Sequence, residues 1–485
     1  MNGEDLQEKL QAQEREIQSL RAELAQALAA LSQANAYIKQ LQGQAGKDSH
    51  NSSKPPSSNG FKEPVRKTQS LRGPSGKKSG GQVGHQGKTL MMVQSPDEIV
   101  ALSPKACRHC QHDLTEAATC RSERIQVFDL PVMRLQVTEY QAEVKACPHC
   151  HRETLASLPD GITAQSVQYG PNVKALAVYL TCIQFLPLAR TCQLLSDLLE
   201  TSFSQGSVLA ACQSSALAVQ PVVEQIKGAL QHSRVLHSDE TGFRVEGKRW
   251  WLHVACTLFF TYYLAHPKRG NEATDAMGIL PHYQGTNVHD SLSMYRRYGC
   301  LHALCVVHYL RELTYIHEHY HQEWAFQMQL LLRSIHQHVQ HARAQGAEQL
   351  PHQDQRDYQH RYAHLVQMGL AANPPPTVRT GQRGAIKKGE PLNLLLRLRE
   401  HQDLILRFMT NFEVPFTNNQ AETDLRMMKL RQKISGCFRT IEGASMFCDL
   451  RSYLSTMHKQ GIHLLTALRS TFRGDPLLPP LLAGE

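Results

Sequence analysis

Three acidic residues and two cysteine pairs are the residues in this chain whose types and spacing point to chemistry. Asp239 lies in His237-Ser238-Asp239-Glu240-Thr241, a stretch with alternating apolar residues that Gly242 interrupts. Alternation of that kind predicts a strand or hairpin with a carboxylate near its turn. Asp290 ends the strand-like stretch Gly285–Asp290. Glu422 follows Asn418-Asn419, either of which suits the N-cap of a helix. If these three carboxylates converge, they form a site for divalent cations, and such ions can clamp both oxygens of a phosphodiester displacement. Glu240 adjoins Asp239, but successive strand residues point to opposite faces, so it is expected to be a poor second ligand.

Cys107-Arg108-His109-Cys110 and Cys147-Pro148-His149-Cys150 each form a knuckle that offers two thiolates. Together, Cys107, Cys110, Cys147 and Cys150 predict one structural zinc with four sulfur ligands and no open position. Ile125–Phe128 and Leu135–Val144 alternate between the pairs and would supply a small sheet. A redox pair is the competing reading, and His109, His112, His149 and Cys120 are substitute ligands. Cys305 and His308 make only a metal half-site, which argues against zinc there. They are expected to buttress the site, to contact DNA, or simply to fill the core.

The totals set the frame. The chain has 485 residues, a formal net charge of +9 and 13 cysteines. That length suits several domains. The basic balance suits a polyanionic partner, or serves solubility alone. No apolar leader precedes the cysteines, which predicts a reducing compartment. Ala175–Ala189 is too short to span a bilayer and reads as a buried helix.

The elements that must position these residues follow in order. In residues 1–43, Leu10, Ile17, Leu24, Leu31 and Ile38 recur every seven residues, with Gln13, Leu20, Ala27, Ala34 and Leu41 three later. This heptad predicts a coiled coil joining copies of the chain, the alternative being a helix packed on its own domain. Residues 44–95 read as a basic linker. Between 51 and 90 there are eight Lys or Arg and one acid, Glu63. Such an arm gains affinity for phosphates by counterion release, unless it is merely solvated. Residues 96–160 hold the zinc-binding domain.

Residues 161–232 read as helical, with Pro171 at one helix start, a second helix near Leu188–Leu199 and a third opening at Ser204-Gln205. A helix-turn-helix would present Ser204 and Gln205 to DNA in this way; an ordinary bundle is the other reading. Residues 233–310 contain strands at Val235–Val245, Arg249–Val254 and Leu258–Tyr263, a helix at Asn271–Ile279, and strands at Gly285–Asp290 and Leu301–His308. That order is that of an RNase H-like α/β core. Residues 311–400 predict an all-helical insertion, 401–450 the return to the core with the Glu422 helix, and 451–485 a C-terminal tail. Arg426, Lys429 and Lys433 share the face of Glu422, and Arg431 is counted with them as a DNA-facing cation. A solvated helix with Glu–Arg pairs is the plain alternative.

The whole order of parts resembles the insertion sequence 66 family of bacterial transposases. It includes the N-terminal heptads, the Asn51–Ser58 run, the Gly81–Leu90 glycine-histidine segment and the paired Cys-x-x-Cys. His237-x-Asp239-Glu240-Thr241, Cys305-Val306-Val307-His308 with Arg311, and Asn418-Asn419-x-Ala421-Glu422 follow. Thr417, Thr423 and Ser291 stand where that family usually has an acid, an arginine and a glycine. The resemblance implies a metal-dependent DNA transposase that cuts element ends and joins 3′ ends to target DNA. Asp239 would bridge two magnesium (or manganese) ions about 4 Å apart, with Asp290 and Glu422 each completing one. Lys429 resembles a basic residue that contacts a DNA phosphate or terminal base. The partners implied are DNA, further copies of the chain in at least a dimer, and accessory proteins of the same element, in the cytoplasm at the bacterial nucleoid, with no membrane. Two competing readings are a non-catalytic zinc-containing DNA-binding protein and a nuclease of the same fold.

Overall fold

The computed structural model describes residues 90–483 apart from 160, 164 and 376–388, together with residues 21 and 28. The expected coiled coil and most of the basic linker lie outside the described residues.

The first described unit with regular hydrogen bonding is a pair of matching turns. In one, Cys107 N–H donates to His112 O and Gln111 N–H to Cys107 O; in the other, Cys147 N–H donates to Arg152 O and His151 N–H to Cys147 O. Gln111 and His151 both adopt positive φ, which closes each knuckle. The second knuckle joins β1 (Val144–Ala146) to β2 (Glu153–Leu155) in an antiparallel pair. The sheet expected between the cysteine pairs is otherwise absent among the described residues. Ile125, Val127 and Val132 stand 87%, 86% and 89% exposed, because no neighbouring strand or face takes up their alternation.

Three helices follow: α1 (Pro171–Cys182), α2 (Leu188–Leu199) and α3 (Gln205–Gln231). Pro171 opens α1 where its missing N–H costs nothing. Ser204 caps α3 by accepting from Ser207 N. Alpha-3 is apolar enough and long enough to cross a membrane by composition. Here, Cys212, Val219, Val222 and Ile226 bury it in the main core. One face of α3 is therefore a core face, and its start, with Ser204 and Gln205, is exposed.

The main sheet is built from β3 (Val235–Val245), β4 (Lys248–Cys256), β5 (Thr261–His266), β6 (Thr286–His289) and β7 (Leu301–Leu304). Helix α4 (Asn271–Met277) lies between β5 and β6 in sequence. The spatial order is β5-β4-β3-β6-β7. The first three strands form an antiparallel meander, while β6 and β7 run parallel to β3. The fifth strand is shorter than expected. It stops at Leu304, and Cys305 opens α5 (Val306–Tyr320). Cys305 N–H closes the ladder on His289 O and Val306 N–H turns to Phe416 O, so the chain leaves the sheet there.

Over 311–400 the described residues are mainly helical, and α5, α6 (Glu323–Ala344), α7 (His352–Ala372), α8 (Glu390–Glu400) and the following α9 (Gln402–Thr410) share one core. A break at His401 separates α8 from α9.

Helices α10 (Asn419–Ser435), α11 (Ile441–Lys459) and α12 (Leu464–Thr471) complete the fold. Ala421, Leu425 and Met428 recur at helical spacing on α10 and pack on Phe243, Leu252 and Val254 of the sheet. The tail expected over 451–485 is corrected. Tyr453, Leu454, Met457, Ala467 and Leu468 belong to the main core. Ser452 Oγ and Thr456 Oγ1 accept the outward N–H groups of Tyr263 and Thr261, at 2.9 and 3.0 Å. A helix thereby covers the free edge of β5, which would otherwise invite pairing with another chain.

His253 on β4 is 1% exposed, and burial above all pushes its imidazole down to about 4. The folded chain accepts the neutral ring only. Its stabilising contribution is complete above the unfolded value near 6.5 and is lost as pH falls toward 4, by up to roughly 3 kcal/mol. The denaturation midpoint is expected to fall across that window. His253→Gln should flatten the curve, as urea titrations at stepped pH would read.

Candidate active site

The parallel register brings the first two acids together. His237 pairs with Val288, and two residues farther on come Asp239 in β3 and Asp290, just past the end of β6. Adjacent strands lie about 4.8 Å apart. A carboxylate oxygen of each, and one of Glu240, lie within 4.8 Å of one another. Glu240 is thus closer than strand alternation implied. The reason is local: the Asp239 carboxylate folds back to accept Glu240 N–H at 2.8 Å.

Glu240 is already engaged. Arg269 reaches its Oε1 through Nε at 2.9 Å and Nη2 at 2.8 Å, and Tyr295 OH donates to Oε2. Burial, followed by the charges of Glu240 and Asp290 and then of Glu422, pushes the Asp239 carboxyl well above its usual range. Burial also raises Asp290. These groups resist ionising together.

Glu422 lies in the first turn of α10, outside that tight group, yet its charge reaches both aspartates. Two attachments hold α10 to β3. Phe438, beyond its C-terminus, exchanges backbone hydrogen bonds with Arg244 and Glu246. Asn418, 1% exposed, anchors the other end. Its Nδ2 donates to Ser238 O at 2.9 Å, its Oδ1 lies 2.9 Å from His237 Nδ1, and its N–H donates to Cys305 Sγ at 3.2 Å. Asn418 or Asn419 was expected at the N-cap, and Asn418 occupies it. Its side chain makes no capping bond but clamps the helix start to the strand carrying Asp239.

Cys305 and His308 prove to be neighbours of Glu422. His308 Nε2 is 3.8 Å from Glu422 Oε1. Burial opposes a charged ring, but the adjacent Cys305 sulfur and the Glu422 and Asp290 carboxylates prevail and push His308 up to about 9.

The cations of α10 divide. Arg426 and Lys433 are exposed on the Glu422 face, while Lys429 Nζ donates to Gly242 O at 3.0 Å. Arg431 is corrected. It lies over the Phe438 ring at 3.4 Å, donates to Gly436 O, and is pushed down to about 10 by burial. Nine residues from Glu422 is about two and a half helical turns, which faces it the other way. That helical-wheel signal was present in the sequence. The roles of Arg269, Tyr295 and Asn418 left no such signal, since their partners lie 29, 55 and 180 residues away.

A family profile described as "Transposase IS66 family" matches residues 166–446, a span that includes all three acids. The chain belongs to the IS66 family of transposases. A second match, the zinc-finger binding domain of transposase IS66, covers residues 104–151 and both cysteine pairs of the transposase. Together, the match and the pairs point to zinc. The four thiols do not form a ligand group within 4.8 Å among the described residues. A third match, a family of unknown function, covers residues 4–91. No curated protein matches the chain. Membership of this family implies an IS66 transposase that cleaves and joins DNA.

Proposed function

We propose that this transposase is of the DDE type, with an RNase H-like core in which Asp239, Asp290 and Glu422 hold two magnesium or manganese ions. The meeting of Asp239 and Asp290, whose carboxylate oxygens lie within 4.8 Å, is the observation that carries this reading. The strand order β5-β4-β3-β6-β7 and the carboxylate-bearing helix packed on β3 support it. The donor set fits a hard cation, since it offers carboxylate oxygens and includes Asp239, whose raised carboxyl a cation would relieve. When bound, the ions would supply a clamp on the attacking and leaving oxygens of an in-line displacement.

The chain's own residues prepare the site. Asn418 keeps the first turn of α10 against β3, so Glu422 is presented without a search through rotamers of a loop. Arg269 and Tyr295 hold Glu240 in place and partly offset its charge. Arg426, Lys429 and Lys433 form the DNA-phosphate track on the Glu422 side, and Ser204 and Gln205 are further DNA contacts at the exposed start of α3. Cys107, Cys110, Cys147 and Cys150 would hold one structural zinc, which requires the two knuckles to close on each other. Copies associate through residues 1–43, in at least a dimer, to cut paired ends at the nucleoid. Accessory proteins of the same element would be further partners.

The test is cleavage of labelled element ends in magnesium. Asp290→Asn and Glu422→Gln are each expected to lower the rate about 10³-fold, as the loss of several kcal/mol of transition-state stabilisation implies, with end binding retained. Cleavage surviving both changes would remove these residues from the mechanism. Binding by the unmodified chain without cleavage under any divalent metal would favour a non-catalytic DNA-binding protein.

A further inference from the structure

Cys305-x-x-His308 looks like half a metal site in the sequence, with no second half nearby. The fold supplies the missing ligand from 114 residues farther along. Ligand atoms of Cys305, His308 and Glu422 all lie within 4.8 Å of one another. We propose that these three residues form a binding site for zinc, and that zinc bound there withdraws Glu422 from the magnesium site. The inhibitory half of this proposal rests on the catalytic role given to Glu422; the binding half does not.

Four observations carry it. The first is spacing. Neighbouring ligands around tetrahedral zinc stand roughly 3.4 Å apart at usual bond lengths. His308 Nε2 and Glu422 Oε1 are at 3.8 Å, so closure needs only a small movement. The second is an unused group. His308 Nδ1 is buried and makes no hydrogen bond, and Nε2 faces Glu422, so neither ring nitrogen is committed to a backbone bond that zinc would have to break. The third is preorganisation. Cys305 and His308 lie three residues apart at the start of α5, and so face the same way. Asn418 N–H fixes the Cys305 sulfur at 3.2 Å. The fourth is donor chemistry. A thiolate, an imidazole and one carboxylate suit zinc and disfavour magnesium, which takes oxygen ligands. Three protein ligands leave a fourth position open to water or a DNA phosphate.

The consequence follows from the shared carboxylate. Asp239 and Asp290 stay with the magnesium site, while Glu422 lies in the Cys305–His308 group and reaches Asp239 through its charge. Zinc on the Cys305 side competes for it, so traces of zinc are expected to inhibit cleavage reversibly in the presence of excess magnesium.

The experiment measures zinc per full-length chain by equilibrium dialysis and atomic emission. The unmodified chain is expected to bind one zinc more than either Cys305→Ser or His308→Asn. The Cys107→Ser/Cys147→Ser double variant should lose the other, separate zinc and keep this one. Near-UV circular dichroism checks that each variant is folded. Equal zinc content in the unmodified chain and in both Cys305→Ser and His308→Asn overturns the site. A second arm titrates free zinc into end cleavage in magnesium, each variant being compared with its own zinc-free rate. Half-inhibition should need at least about tenfold more zinc in Cys305→Ser, and a chelator should restore activity. Extra zinc without inhibition would leave the site standing and overturn the competition for Glu422. If the unmodified chain never cleaves, the proposed enzyme fails, while zinc stoichiometry still decides the site.

Discussion

Asp239→Asn is expected to abolish end cleavage and, in metal-free buffer, to make the protein more stable. The carboxyl is held well above its usual range by burial and then by Glu240 and Asp290. A group whose folded value is raised contributes stability below its unfolded value, and that contribution is lost as pH rises through the folded one. Holding this carboxyl among other acids therefore opposes folding increasingly as pH rises. An uncharged amide of the same shape removes the repulsion, so the midpoint of thermal denaturation should rise by a few degrees. Added magnesium should stabilise the unmodified protein by preferential binding to the folded state, and should do so much less for the variant. Cleavage should fall by about 10³-fold or more. Loss of activity with loss of stability would point to ordinary structural damage. Equal magnesium stabilisation of both proteins would place the ions elsewhere.

Lys459→Met is expected to be the most destabilising single change in the region beyond residue 450. Lys459 Nζ lies 2.7 Å from Asp424 Oδ2, and the two side chains are only 12% and 10% exposed. It also donates to Thr257 O at 2.8 Å and to Phe260 O. Asp424 accepts from Thr261 Oγ1 as well. The pair thus joins the C-terminal end of α11, the turn before β5, and the Glu422 helix. Removing one partner leaves a buried charge without compensation, at a cost of roughly 3–5 kcal/mol. Pairing it with Asp424→Asn should recover much of the loss, because the penalty belongs to the orphaned carboxylate. A chain ending at Leu450 should fail to fold, since Ser452 and Thr456 no longer cover the edge of β5. Urea denaturation followed by tryptophan fluorescence reads all three. A cost below about 1 kcal/mol for Lys459→Met would mean that solvent reaches the pair freely.

These two sites differ in how much the sequence disclosed. Asp239 was legible because strand alternation and Gly242 mark its element locally. The starts of α1, α2 and α3 were legible for the same reason: proline, serine and turn residues act over a few positions. Lys459 gave no sign. Its partners are 35 to 202 residues away, and nothing in its own segment separates a packed helix from a tail. The shortened strand β7 was missed because Val306 and Val307 carry the same apolar signal in a strand as in the first turn of a buried helix.

By itself the sequence determined the local elements, the donor types available to each, and the family. Those follow from periodicity, capping and short motifs, which act within one or two turns of chain. The tertiary structure decided which donors meet. It set carboxylate oxygens of Asp239 and Asp290 within 4.8 Å of each other and clamped Glu422 to β3 through Asn418. It turned Arg431 inward onto Phe438 and brought Cys305 and His308 to the other side of Glu422. The physical reason is the same in each case. These contacts depend on distances of a few ångströms between residues up to 180 positions apart, and only packing fixes those distances.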